Sequence, residues 1–436
     1  MIKANVANLY TSIVYDKKLR YKDGRPYINR GKYWEPVKDM EVYKCIYDSI
    51  KDNGDITKVT KHMVNEVAFK LQNNSDFEIR FVNDDKCNFL NVNNGVYNFE
   101  NNIFLQNVDR PNFSYVLDFN YIRNPRLDDA PVFKKFVQET FADDYETKLQ
   151  LLLECISYCI SDYDSAKAAF FFVGCSNSGK SVLLTLLNRI LPKCVVTSVA
   201  LDKLDNKFAL ATLKYSKLNI LTELNKKSLK HIDIFKQITS CEEIYCEEKN
   251  CEGKSVRIKT KCINATNVLP QLDEVEGMTA ILNRMVILKF NHFVEKCDMD
   301  LHLVDKLYEE RDVIFSLAMK QIPKLIKNNF QFTEPKDSRM IKEEYKMIAD
   351  IIDNFIEEKC IIDSSKKVFL KDIYDSFKLF CIENGIPEAK VDTLELRNNL
   401  SSRDGIKRKK IRIGDSSLWG FVGLGLNSTK SVTQML

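Results

Sequence analysis

The sequence predicts an α/β fold: a nucleotide-binding core with a parallel central sheet, preceded by an α+β segment and followed by a winged helix. Three observations lead there. Strand-like apolar runs alternate with helical segments between residues 168 and 290, a glycine-containing loop joins the first of these strands to a helix, and the chain closes with three helical stretches and a basic strand pair. Strands separated by helices bury both faces of a parallel sheet, whereas three helices and a hairpin form a winged-helix unit.

Residues 1–125 hold short strand and helix patterns with aromatic and Asn-rich turns, such as Tyr27-Ile28-Asn29-Arg30-Gly31-Lys32-Tyr33-Trp34. Asn94-Gly95, set between alternating apolar residues, marks a hairpin. Asn124-Pro125 and Ala130-Pro131 then punctuate the chain, and apolar residues recur at helical spacing over 132–141 and 145–160, so 126–160 reads as a helical connector. Within a core domain spanning 161–340, the strand-like runs are 168–173, 217–221, 261–265 and 285–290. Beyond residue 300 the pattern is helical to Leu325, and Pro323 and Pro335 bracket an expected linker. The winged-helix domain, 345–425, carries helices over 351–358, 370–384 and 392–401, then a strand pair ending in Leu418-Trp419-Gly420-Phe421; residues 426–436 read as a flexible tail.

The composition narrows the classes further. With 44% hydrophobic and 29% charged residues and a net charge of +4, the chain is globular, and its charge alone does not make it a polyanion binder. Thirteen cysteines fall outside C-x-x-C pairs, which fits reduced thiols in a cytosolic setting rather than zinc knuckles. Neither a signal core at the N-terminus nor an uncharged run long enough to span a bilayer is present, so no membrane partner is expected.

The glycine-containing loop is Gly174-Cys175-Ser176-Asn177-Ser178-Gly179-Lys180-Ser181. It fits G-x-x-x-x-G-K-[ST], in which backbone N–H groups and a helix N-terminus cradle phosphates. Gly174, Ser176, Asn177, Ser178, Gly179, Lys180 and Ser181 are therefore the candidate ATP-binding residues, with Lys180 on the β/γ oxygens and Ser181 on Mg²⁺. Downstream, the strand Leu218-Asn219-Ile220-Leu221 leads through Thr222 to one carboxylate, Glu223, placed to contact the metal or to orient the attacking water. The next such strand ends in Asn267, before Pro270, where an amide can hydrogen-bond the γ-phosphate or the water. Arg284 precedes a further buried strand and offers an always-charged fork for transition-state charge. Two strand-like arms over 244–259 surround a tip carrying Lys249 and Lys254, candidates for phosphate contacts on DNA, and Lys407-Arg408-Lys409-Lys410 forms the strongest basic run, on the expected wing.

The order of these motifs, with Phe235-Lys236-Gln237-Ile238-Thr239-Ser240-Cys241-Glu242 between the Glu223 and Asn267 strands, resembles superfamily 3 helicases, and within them the poxvirus D5 and phage or plasmid primase-helicase group. Residues 88–121, with Asn93-Asn94-Gly95-Val96-Tyr97-Asn98 and Phe119-Asn120-Tyr121, look like the D5 N-terminal domain. The resemblance implies an AAA+-like ATPase assembled as a homo-hexameric ring, Arg284 reaching the ATP of a neighbouring subunit, and a channel hairpin bearing Lys249 and Lys254. The implied activity is that of an ATP- and Mg²⁺-dependent replicative helicase on single-stranded and forked DNA. The alternative is an ATP-assembled origin-binding initiator. Asn225-Lys226-Lys227-Ser228 lacks the Asp of a guanine-reading N-K-x-D, which argues against a GTPase. Two departures stand out. Cys241-Glu242 replaces the Gly-Asp of many members, so the tight glycine turn is expected to be lost, and Glu223 stands alone as the strand-end acid. About 85 residues before the D5-like segment are too few for a polymerase core, so a primase or polymerase is expected in trans.

Overall fold

The computed structural model describes residues 19–53, 59–85, 87–106, 112–224, 232–247, 253–270, 278–386 and 393–427. Three short strands, β1 (Leu19–Lys22), β2 (Arg25–Asn29) and β3 (Trp34–Pro36), form an antiparallel meander. Helices Asp39–Asn53 and Lys61–Gln72 close over it, burying Leu19, Val42, Ile46, Val67 and Leu71. A second meander follows in β4 (Phe89–Val92), β5 (Gly95–Asn98) and β6 (Ile103–Gln106). Its first turn is Asn93-Asn94, one residue earlier than expected, because Gly95 already pairs with Val92 and Gln106. The asparagines do the turning and also clamp the chain beyond. Asn93 Nδ2 donates to Asp118 at 2.6 Å, and Asn94 both accepts from Tyr121 N at 2.9 Å and donates to Tyr121 O at 3.1 Å.

Helices Pro131–Thr140 and Tyr145–Ile160 lead into the core. Every residue from Leu151 to Ile160 is buried, because the second of these helices is enclosed by strand, helix and meander side chains in one continuous cluster running from Leu90 to Leu325. The core strands are β7 (Ala169–Gly174), β8 (Val196–Thr197) and β9 (Leu218–Leu221), then, after a separate hairpin of β10 (Glu243–Cys246) and β11 (Lys254–Arg257), β12 (Lys261–Thr266) and β13 (Met285–Phe290). They form one parallel sheet in the order β13-β7-β12-β9-β8. β7 and β12 are buried along their whole length, as central parallel strands covered on both faces must be, which explains their unbroken apolar reading. Helices Lys180–Arg189 and Lys207–Lys214 link the strands of this sheet. Leu303–Glu309 and Arg311–Met319 follow it.

The linker expected between Pro323 and Pro335 is instead a fixed junction. Pro323 lies in the first turn of helix Ile322–Lys327, and Pro335 caps the 24-residue helix Lys336–Lys359. A first-turn proline loses no intrahelical bond, so both prolines start helices here. The segment between them is pinned to the core. Glu154 accepts from Thr333 N at 2.7 Å and Thr333 Oγ1 at 2.9 Å, and fully buried Lys148 pairs with Asp143 and Asp337, each at 2.7 Å. Ser338 Oγ donates to Ile287 O of β13 at 2.7 Å.

The long helix runs into the C-terminal unit: β14 (Cys360–Phe369), helices Leu370–Glu383 and Thr393–Ser402, β15 (Lys407–Ile413) and β16 (Ser416–Leu426). β16 is central in an antiparallel sheet ordered β14-β16-β15, and Phe355, Phe377, Phe380, Leu396 and Phe421 fill the core. Three helices and a sheet make the expected winged helix. β14 was not anticipated, and Leu426 belongs to β16 rather than to the expected tail; residues 428–436 of that tail lie outside the described residues. Among the described residues, no helix is long and apolar enough to cross a membrane.

Candidate nucleotide site and nucleic-acid surfaces

Gly174 ends β7, and the loop turns at the carboxyl edge of the sheet, where parallel α/β folds place their ligands. A Cβ on Gly174 would lie 2.2 Å from Phe290 O, so the strand can sit against β13 only with glycine there. Asn177 and Gly179 take φ of +60° and +91°, and a Cβ on Gly179 would meet the Phe136 ring at 2.8 Å. These two positions set the curl that aims successive backbone N–H groups inward. Ser178 Oγ donates to Cys175 O at 2.8 Å, and Val294 N donates to Asn177 O at 3.1 Å, tying the loop to itself and to the chain after β13.

The Lys180 ammonium is buried and donates to Gly174 O at 2.7 Å, Cys175 O at 2.5 Å and Ser178 Oγ at 3.0 Å. Burial lowers its pKa. No carboxylate offsets its charge in this set of contacts, so an anionic group brought to the loop would find an under-compensated cation.

Ser176, Asn177, Ser178, Gly179, Lys180 and Ser181 line one cavity of about 970 Å³, and Glu223 and Asn267, beyond the ends of β9 and β12, line the same cavity. Gly174 lies beneath it rather than in its wall. Sequence reasoning missed other residues that line it. Val132, Lys135 and Phe136 come from helix Pro131–Thr140, and His292, Asp300 and Lys306 from the stretch after β13. The expected connector thus forms part of the site. Nothing in its local pattern signals this, because its apolar spacing is that of any packed helix.

Arg284 is not part of that cavity. It precedes Met285, the first residue of β13, which pairs with Ala169 at the start of β7. The five strand steps from there to Gly174 span about 17 Å. Its guanidinium donates to Ala280 O at 2.8 Å and Ser240 Oγ at 3.1 Å, and its Nε is buried with no partner among the described residues. The turn at Cys241 nearby corrects the expectation of a lost glycine turn. Cys241 adopts φ of +52°, so the left-handed turn is retained by a non-glycine residue.

The expected nucleic-acid contacts occupy two other places. Lys254 is exposed at the start of β11, in a hairpin braced by Lys207, whose ammonium pairs with Glu247 at 2.6 Å and lies over the Tyr245 ring at 5.0 Å. Lys249 lies outside the described residues. Lys407, Arg408, Lys409 and Lys410 are exposed on β15, the edge strand of the winged-helix sheet.

A second ionisable cluster sits at the amino edge of the central sheet, away from the loop. Lys217 donates to Asp162 at 2.6 Å, Tyr115 OH at 2.7 Å and Ser161 O at 2.7 Å, while Lys261 shares the Ser161 carbonyl and stands over the Tyr158 ring at 4.7 Å. Both lysines are buried. Burial lowers the pKa of Lys217, and burial together with the neighbouring Lys217 charge pushes Lys261 down to about 7.

Residues 9–142 match the family model described as D5 N terminal like, and residues 172–281 match a family of unknown function, DUF5906. No curated protein matches the chain. Among solved structures, the apo structure of the NrS-1 C terminal region (305-718) aligns with 12% identity and a TM-score of 0.51, covering 97% of this chain and 100% of that one. The A form apo structure of the NrS-1 C terminal region aligns with 13% identity and a TM-score of 0.50, covering 95% and 98%. These similarities concern the fold, along nearly the whole length. The chain thus joins a D5 N-terminal-like segment to a five-stranded parallel α/β core.

Proposed function

We propose that this D5-like replication protein is an ATP-driven DNA helicase that works as a homo-hexameric ring. One observation carries the reading: the phosphate-binding loop, Glu223 and Asn267 share a single cavity, while Arg284 lies at the far end of β13. A site with a cradle, Glu223 and Asn267 but no arginine among the described residues that line it suits completion by a neighbouring subunit, and arginines supplied in trans are a recurrent device of phosphate-cleaving ATPases. The cavity's volume suits a nucleotide.

Lys180 would exchange its loop-carbonyl contacts for phosphate oxygens. Ser181 and Glu223, whose side chains both line the cavity, would hold Mg²⁺, which when bound would neutralise phosphate charge. Glu223 would also accept a proton from the attacking water, with Asn267 orienting it. Lys254, and Lys249 with it, would track the phosphates of a single strand, and Lys407, Arg408, Lys409 and Lys410 would hold DNA at the fork. A primase or polymerase acting in trans and a cytoplasmic site of action complete the proposal.

The test is unwinding of a forked duplex. Strand separation that needs ATP and disappears in Lys180→Ala is expected. ATP hydrolysis without strand separation would instead favour the origin-binding initiator, a reading supported by the basic edge of the winged helix.

A further inference from the structure

Two tryptophans occur in the chain, and they are used in opposite ways. Trp34 is 6% exposed and its indole donates to Asn112 Oδ1 at 3.0 Å. Trp419 is 49% exposed on β16. It pairs across the ladder with Lys410, and the Arg408 guanidinium stands 4.8 Å from its ring centre. Strand alternation puts Arg408, Lys410 and Arg412 on the same face as Trp419, while Ile411 on the other face is buried beside Gly420. Lys407 and Lys409 add charge along the same edge strand, against one carboxylate in the hairpin, Asp415.

Cations alone would suffice to grip phosphates. An indole held half in solvent by an arginine adds a flat surface that phosphates cannot use. We infer that the wing is a stacking platform for single-stranded nucleic acid, with Trp419 taking an unpaired base and Arg408, Lys410 and Arg412 holding the flanking phosphates. The choice of occupant follows from the chemistry of the face. Its charge calls for a polyanion, and its ring calls for an exposed π-face, which a duplex keeps inside its stack and an unpaired strand presents at every nucleotide. Arg408 fixes the indole in advance, so little side-chain freedom remains to be lost on stacking.

The inference deepens the helicase reading by assigning the wing to the unpaired strand, and it can fail separately. The emission of Trp419 is obtained as the difference between the wild-type protein and Trp419→Phe, a surface change that leaves buried Trp34 intact. Oligothymidylate is expected to quench this difference signal to saturation, whereas heparin, which has the charge but no bases, leaves it nearly unchanged. Trp419→Ala should weaken oligothymidylate binding roughly tenfold, and Trp419→Phe should restore most of it. Binding of oligothymidylate without quenching, equal quenching by heparin, or quenching by a blunt duplex alone would overturn the inference. ATP hydrolysis in the same wild-type preparation separates the two readings: DNA-stimulated turnover without a Trp419 response rejects only the stacking platform, and a Trp419 response without DNA-stimulated turnover counts against the motor.

Discussion

Lys261→Met tests whether the amino edge of the sheet holds a neutral amine. Lys217 takes Asp162, so Lys261 is left with a shared carbonyl and a ring, next to a second ammonium. Its pKa falls from 10.5 to about 7. For a base lowered on folding, the unfolded chain binds the extra proton between the two values, so stability rises with pH from about 7 to about 10.5 and is flat below. The penalty is therefore fully present below pH 7. Applying the linkage relation to these two values, on the order of 1–2 kcal/mol is recovered between roughly pH 7 and 8.5. Methionine fills a similar volume without the proton, and Lys217 still satisfies Ser161 O. Urea denaturation of both proteins across this range is the assay. The variant should be the more stable near pH 7, and its advantage should shrink by about that amount by pH 8.5. Cysteines titrating in the same range belong to both proteins and cancel in the difference. Parallel pH profiles would refute the assignment and leave Lys261 charged in the fold.

Other expected outcomes concern the proposed motor. Arg284→Ala should be inactive alone and regain hydrolysis when mixed with Lys180→Ala, since mixed interfaces pair an intact loop with an intact arginine; verified mixed rings without recovery would exclude action in trans. Lys254→Ala should keep basal hydrolysis and lose part of its stimulation by DNA, together with some of the salt dependence of binding; unchanged DNA binding would remove the hairpin from the DNA path. Gly179→Ala imposes a strained φ, about 1–2 kcal/mol, and drives a methyl into the Phe136 ring, so nucleotide affinity measured by calorimetry should fall at least tenfold. Wild-type affinity would show that the loop can open without cost.

The central sheet was legible because fully buried parallel strands read as continuous apolar runs, and Phe170-Phe171-Phe172 has no other comfortable place. The loop was legible because its glycines answer to backbone geometry. Less could be read where a role depends on distant chain. Lys135 and Lys306 come to one cavity only after helices Pro131–Thr140 and Leu303–Glu309 have packed on each other against one face of the sheet, and no spacing rule connects residues that far apart. Pro335 misled for a local reason: it can end a linker or begin a helix, and the decision comes from tertiary anchors at Lys148 and Ser338. At Cys241 the reverse occurred. The departure of Cys241-Glu242 from the Gly-Asp of the resembled family implied that a turn was gone, yet Cys241 takes a left-handed φ of +52°.

The helix that replaces the expected linker has a mechanical consequence. Over 24 residues it extends about 36 Å, and its first turn is bolted to the strand that begins just after Arg284. A tilt of about 10° at that bolt would carry the far end of the helix through about 6 Å, nearly twice the ~3.4 Å spacing of nucleotides along one strand of B-DNA. The wing is therefore mounted on a lever arm rather than a tether, and its position is geared to the strand leading from Arg284.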